Sequence, residues 1–176
     1  MPFEYAILDW IQANLRSPLM DAVMVAITHL GDGGVLFMLL GVWLLLKPAT
    51  RNIGIALLFS LTIAILCCSG LLKPLFARAR PFAGREGMAL LVSAPTDFSF
   101  PSGHTAAAFT AAAELFFCRN RWCLPVGVLA LLIGFSRMYL YVHFPTDVLC
   151  GCVLGILVGW MTCRILRSDD QLLPCR

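Results

Sequence analysis

Apolar residues gather in six blocks: Pro18 to Leu30, Val35 to Leu46, Ile53 to Leu72, Thr105 to Phe117, Val126 to Val142 and Val148 to Ile165. Crossing a bilayer takes about 20 apolar residues, roughly 17 to 25 in practice. The third, fifth and sixth blocks meet that requirement, and the fourth does once protein shields its polar first turn. The first two blocks are short and are separated by Gly31-Asp32-Gly33-Gly34, a strong turn signal. They read as two spans joined by a tight outer turn, with a re-entrant hairpin as the alternative. Ahead of them, Phe3, Ile7, Leu8, Ile11 and Leu15 recur at helical spacing, with Asp9, Gln12 and Arg16 opposite. That is the pattern of an amphipathic helix over residues 1–16 lying on a membrane surface. The expectation is all-α: an integral-membrane bundle of six transmembrane helices with an N-terminal interfacial helix. The chain, 1–176, forms one domain with one sizeable loop, 73–100, on the outer side.

Composition supports the bilayer as solvent. Hydrophobic residues make up 60% and charged residues 13%, against about 25% charged in a soluble domain, and mean hydropathy is +0.85. The net charge of +3 comes with no basic face interleaved with aromatics, so nucleic-acid binding is excluded. Glu4 and Asp9 interrupt the N-terminal apolar stretch, so it is not expected to be a secretory signal. Of eight cysteines, Cys67, Cys68, Cys150, Cys152 and Cys163 lie in apolar runs, while Cys118, Cys123 and Cys175 fall in segments read as cytoplasmic. Reduced packing thiols are the reading, and the spacing of Cys118 and Cys123 does not suit zinc.

With the N-terminus inside, eight basic residues fall in the cytoplasm and five outside, the latter being Lys73, Arg78, Arg80, Arg85 and Arg137. This positive-inside bias is weak, and it sharpens if Lys73, Arg80 and Arg137 belong to a site. The expected location is the cell (inner) membrane, multi-pass, with both termini cytoplasmic and the site facing the periplasm or exterior. Gly151, Gly155 and Gly159 form a small-residue face for close packing inside the bundle, or for a homodimer.

Three polar clusters stand at block boundaries, and the parity of the spans puts them on one side. They are Lys73 to Arg80-Pro81, Pro101-Ser102-Gly103-His104, and Ser136-Arg137 with His143 and Asp147. Ionisable groups at membrane depth are expensive and mark function. The chemistry they suit is that of phosphate. A phosphoryl group in transfer spreads negative charge over three oxygens. Lys73, Arg80 and Arg137 supply three cations for them. Ser102 and Gly103 open a helix, where unpaired N–H groups favour an anion. Two histidines suit nucleophilic and proton-transfer roles, and an aspartate beside one of them would fix its tautomer.

Taken together, these three clusters resemble the tripartite signature of the type 2 phosphatidic acid phosphatases. That superfamily includes bacterial lipid phosphate phosphatases, glucose-6-phosphatase and vanadium haloperoxidases. All three motifs are present, in order, from Lys73 to Asp147; the flanking helices match only in general pattern. The resemblance implies that His143 attacks phosphorus and becomes phosphohistidine, and that Asp147 orients it. It implies that His104 protonates the leaving oxygen and then activates water, and that Lys73, Arg80, Arg137, Ser102 and the Gly103 backbone bind phosphoryl oxygens. No metal and no cofactor are expected. Likeness to small bacterial members favours undecaprenyl diphosphate as substrate, then phosphatidylglycerophosphate or phosphatidic acid. A haloperoxidase, a phosphotransferase and a non-catalytic membrane protein are the competing classes. The expected partners are the lipid phosphate and membrane lipids. Glu114, about 15 Å along the helix from His104, is too far for the chemistry and reads as held by a structural partner such as Arg119 or as facing a water-lined crevice. His29 and Asp32 read as bordering the substrate entrance, and Arg78 and Arg85 as contacts to a second phosphate or to water.

Overall fold

Residues 2–85 and 87–168 are described in a computed structural model, and every regular element among them is helical. In order these are α1 (Pro2–Leu15), α2 (Pro18–His29), α3 (Val35–Leu45), α4 (Arg51–Ile65), a π-helical stretch (Leu66–Leu72), α5 (Lys73–Phe76), α6 (Gly103–Phe117), α7 (Cys123–Tyr139) and α8 (Pro145–Ser168). Cys175 and Arg176 lie outside the described residues.

Five helices, α3, α4, α6, α7 and α8, run between the two ends of a bundle. Glycine sets how closely they approach. A Cβ on Gly54 of α4 would lie 2.4 Å from the Leu45 nitrogen, so α3 and α4 meet backbone to backbone. Gly151, Gly155 and Gly159 of α8 press on the parallel helix α6, where a Cβ at Gly155 would lie 2.6 Å from the Ala106 carbonyl oxygen. That face is filled by the chain's own α6, the packing inside the bundle that the small-residue spacing suggests. Inside, the bundle is built from small and aliphatic residues, among them Ala108, Ala111, Ala130, Leu57 and Ile133. Outside, Leu39, Phe59, Leu66, Leu131, Leu149 and Val153 are exposed along the helices. A belt of exposed large apolar residues around a small-residue core suits lipid as the solvent.

The expected first span does not run along the bundle. Pro18–Leu45 is long and apolar enough to cross a membrane, as are Pro48–Gly84 and Pro145–Leu166. It is broken, however, at Gly33 (φ 57°) and Gly34 (φ 69°). Before the break, α2 has only 12 residues, about 18 Å. It lies across the end of the bundle that carries the polar clusters. Tyr139 donates to Asp21 Oδ1 at 2.6 Å near its start, and Arg137 donates to Thr28 Oγ1 at 2.6 Å near its end. Only α3 descends, bringing Trp43 edge-on to Trp122 at the opposite end.

Helix α1 forms as expected, but its apolar stripe faces protein. Leu8 and Ile11 are buried against the segment from Tyr139 to Phe144, while Phe3 and Trp10 point outward. Its polar residues reach the 77–102 loop and the end of α7. Glu4 pairs with Arg78 at 2.6 Å, Asp9 pairs with Arg85, and Gln12 Nε2 donates to the Tyr139 carbonyl at 2.5 Å. The start of the chain therefore sits at the polar end of the bundle, and α8 runs away from it for 24 residues. The two ends of the described chain lie at opposite ends of the bundle.

At that opposite end, Glu114 is fully buried. It accepts a hydrogen bond from Thr162 Oγ1 at 2.5 Å and one from Cys118 Sγ at 3.4 Å, with Cys163 Sγ a further 3.5 Å from Cys118. Its role is structural, as the distance from His104 suggested. No disulfide occurs among the described residues, and their seven cysteines are free thiols.

Candidate active site

The three clusters converge at the end of the bundle where α5, the 77–102 loop, the start of α6 and the α7–α8 connection meet. A cleft of about 440 Å³ is lined there by Lys73, Arg80, Gly103, His104, Arg137 and His143 from the expected set. Lys73 follows directly on the π-helical turn and is buried; such wide turns are frequent at functional sites. Arg80 is held by backbone acceptors: Nη1 donates to the Val142 carbonyl at 2.7 Å and Nε to the Asp97 carbonyl at 2.8 Å. Arg137, anchored to Thr28, has an Nε with no hydrogen-bond partner among the described residues. A buried donor without an acceptor costs free energy, and an anion in the cleft would relieve it.

His143 stands on the short connection after α7. The chain turns there at Tyr141 (φ 59°), a backbone conformation that costs a non-glycine residue energy unless packing imposes it. The imposing contacts come from α1: the Tyr141 ring packs with Leu8 and Phe144, and its hydroxyl donates to Asp9 Oδ1 at 2.6 Å. His143 Nε2 lies 3.2 Å from Arg80 Nη1, and Nδ1 lies 3.5 Å from Asp147 Oδ2. A guanidinium can only donate, so Nε2 carries the lone pair on the cleft side and Nδ1 carries the proton facing Asp147. Burial first, with Arg80 and Arg137 nearby, holds the imidazole down at about 3 against the opposing pull of Asp147. The ring is therefore neutral at physiological pH, as a nucleophile must be.

Asp147 sits behind His143, fully buried and outside the cleft. Four donors hold its carboxylate or its backbone in place. Ser99 Oγ donates to Oδ2 at 2.5 Å, the Phe144 N–H to Oδ2 at 2.8 Å and Arg78 Nη1 to Oδ1 at 2.6 Å; the Ser102 N–H meets the Asp147 carbonyl at 3.0 Å. Arg78 thus faces neither a second phosphate nor water. It spans Glu4, Thr146 and Asp147. Arg85, by contrast, is exposed to water while it pairs with Asp9 and donates to the Tyr141 hydroxyl at 3.3 Å.

Across the cleft, His104 lies in the first turn of α6 with Nε2 2.8 Å from Asp32 Oδ1. His29 Nδ1 lies 2.7 Å from the other oxygen of Asp32. Gly103 lines the cleft at the helix N-terminus. The Ser102 side chain does not: it is fully buried and caps α6, its Oγ 2.9 Å from Thr105 Oγ1.

Reading the sequence missed Asp97. Its carboxylate pairs with both Lys73 and Arg80, with Oδ1 2.5 Å from Arg80 Nη2. Burial alone would raise this carboxyl, but Lys73 and Arg80 hold it down at about 2. One acid in an aperiodic loop carries no spacing signal; only excess positive charge around it would have pointed there. The arrangement is a pair of cations, Lys73 and Arg80, gripping a carboxylate, with a neutral histidine lone pair on one side and a carboxylate-paired histidine on the other.

Known proteins share this fold and much of this sequence. The pattern of the PAP2 superfamily matches residues 53–169. An undecaprenyl-diphosphatase from Sulfolobus acidocaldarius is 35% identical over 136 residues, covering 74% of this chain and 66% of that protein. Undecaprenyl-diphosphatase BcrC of Bacillus subtilis is 31% identical over 160 residues, 90% of this chain and 80% of that one. The crystal structure of a transmembrane PAP2-type phosphatidylglycerolphosphate phosphatase from Bacillus subtilis superposes with a TM-score of 0.80 at 30% identity, covering 99% of this chain and 88% of that chain.

Proposed function

Because the chain belongs to the PAP2 superfamily, we propose that it is a membrane lipid phosphatase that works through a phosphohistidine on His143 and takes undecaprenyl diphosphate or a closely related polyprenyl diphosphate. The observation that carries this reading is the His143 lone pair, aimed into a cleft whose walls are Lys73, Arg80 and Arg137.

Substrate phosphate takes the place of the Asp97 carboxylate between Lys73 and Arg80, and Arg137 Nε supplies a further donor. His143 Nε2 forms a bond to phosphorus as the bond to the leaving oxygen breaks, and His104 delivers a proton to that oxygen. Asp147, held by Ser99 and Arg78, stabilises the positive imidazole that results. Water then attacks phosphorus, His104 takes its proton, and the phosphorus–nitrogen bond breaks to restore His143. The fixed cations stabilise the charge that develops on the phosphoryl oxygens.

The lipid tail has an apolar approach. A second cavity of about 230 Å³ shares Lys73, Gly103 and His104 with the cleft and is lined on its far side by Ala64, Ile65, Ala106 and Ala107. The undecaprenyl-diphosphatases among the relatives favour a polyprenyl diphosphate, and the phosphatidylglycerolphosphate phosphatase makes a glycerophospholipid the second reading. The five end-to-end helices cross the membrane, with α1 and α2 lying on the outer face beside the site. Lys47, Arg51, Arg119, Arg121 and Arg164 at the opposite end suit the cytoplasm by the positive-inside rule. Phosphate release from purified undecaprenyl diphosphate, phosphatidylglycerophosphate, phosphatidic acid and a soluble sugar phosphate tests the reading. The polyprenyl diphosphate should have the highest kcat/KM, and a preference for the sugar phosphate would overturn lipid specificity.

A further inference from the structure

The reading above leaves His104 with a demanding task. To act as an acid it must carry a proton while Lys73 and Arg137 face it from α5 and α7, with Arg80 beyond and the neutral His143 across the cleft. Of the two carboxylates at the site, Asp97 on the loop is engaged by Lys73 and Arg80. The other is Asp32, on the turn between α2 and α3.

That turn is built against the His104 ring. A Cβ on Gly31 would fall 2.9 Å from His104 Cδ2 and 3.1 Å from Ile133 Cγ2, so only glycine lets the backbone come so close. Gly33 and Gly34 then take positive φ, which turns the chain from α2 into α3. Between these glycines, Asp32 points one oxygen at His104 Nε2, 2.8 Å away, and the other at His29 Nδ1, 2.7 Å away. His29 from α2 thereby fixes the rotation of the carboxylate. The match to the superfamily begins only at residue 53, so this partner comes from a part of the chain that the shared signature does not cover.

We propose that Asp32 is the positioning residue of the acid–base histidine, as Asp147 is of the nucleophile; this rests on the reading of His104 as the acid–base group. Asp32 holds the proton on Nε2 and leaves Nδ1 for the leaving oxygen. It supplies the negative charge that supports the imidazolium among the cations of the cleft. The proton balance is closed. Nδ1 gives its proton to the leaving oxygen when phosphohistidine forms, and recovers one from the attacking water when the phosphorus–nitrogen bond breaks. Asp32 stays ionised throughout.

The test uses the full chain in detergent with two substrates. A long-chain alkyl phosphate has a leaving oxygen that needs a proton, whereas an activated aryl phosphate does not and is followed by first-turnover release of the phenol. Asp32→Asn should lower kcat on the alkyl phosphate by about 10- to 100-fold with KM little changed. That is less than the loss of about 10⁴ for the buried aspartate of a Ser-His-Asp triad, because Asp32 is half exposed. First-turnover release from the aryl phosphate should stay near the wild-type rate, Asp32→Glu should recover part of the loss, and Asp32→Asn should add nothing to His104→Ala. Equal losses of Asp32→Asn on both substrates, no loss on either, or a full further loss in the double variant would each overturn the inference. His104→Ala without selectivity for the alkyl phosphate would overturn the acid–base reading and this inference with it. A selective His104→Ala beside an indifferent Asp32→Asn overturns this inference alone.

Discussion

A histidine kept neutral by burial is a reactive group and also a stability liability in acid. The His143 side chain is 1% exposed, and burial with Arg80 and Arg137 nearby holds its imidazole at about 3, well below the usual 6.5. Between those two values the unfolded chain binds a proton that the folded chain refuses, so folding stability falls as pH drops through that window. Asp97 acts in the same sense only lower down: held at about 2 against a usual 3.8, its contribution is intact above 3.8 and is lost as pH falls from there towards 2. Thermal unfolding in detergent between about pH 7 and 4 should therefore show Tm falling more steeply for the wild type than for His143→Gln. Identical slopes would mean that His143 is not held neutral. The two histidines, the three cations and Asp147 were all legible as residues, because their spacing matches a three-part signature. Asp97, Ser99 and Thr28 were not, since each contributes through contacts that only the folded chain creates.

At the scale of elements, the helices α3, α4, α6, α7 and α8 could be placed from apolar blocks and breakers, because a lipid-facing helix must be apolar over its whole length. The role of α2 could not: twelve largely apolar residues read alike whether they descend into a bilayer or lie across its surface, and contacts to Tyr139 and Arg137 decide between the two. Arg78 and Arg85 were ambiguous for a related reason. Their partners Glu4 and Asp9 lie some seventy residues away, on a helix whose docking no local pattern encodes. The small-residue face of α8 was legible as a packing surface, and α6 is what it packs against. Gly155→Ala places a methyl 2.6 Å from the Ala106 carbonyl oxygen. Overpacking of this kind costs about 1–3 kcal/mol, so Tm should fall. Gly127→Ala in α7 meets nothing within 4 Å and should be neutral or stabilising by up to about 1 kcal/mol. Equal effects of the two substitutions would show that α6 and α8 are not in backbone contact.

For the whole molecule, the consequential feature is that the chain begins beside the site and α8 carries it to the other end. In intact cells, single-cysteine probes at Phe3 and Ala89 should both react with an impermeant thiol reagent, and one at Asn120 only after the membrane is opened. A Phe3 probe that behaves like Asn120 would restore the six-span arrangement. In the proposed mechanism the groups at this polar end act together, and three fixed cations take the part that a metal ion plays in many phosphatases. The most direct test of that chemistry is to quench the protein within its first turnover on radiolabelled lipid phosphate, in EDTA, and to locate the label. The account predicts an acid-labile phosphoenzyme on His143 that His143→Ala never forms. A phosphoenzyme that persists in His143→Ala, or one that appears only when Mg²⁺ is restored, would contradict it.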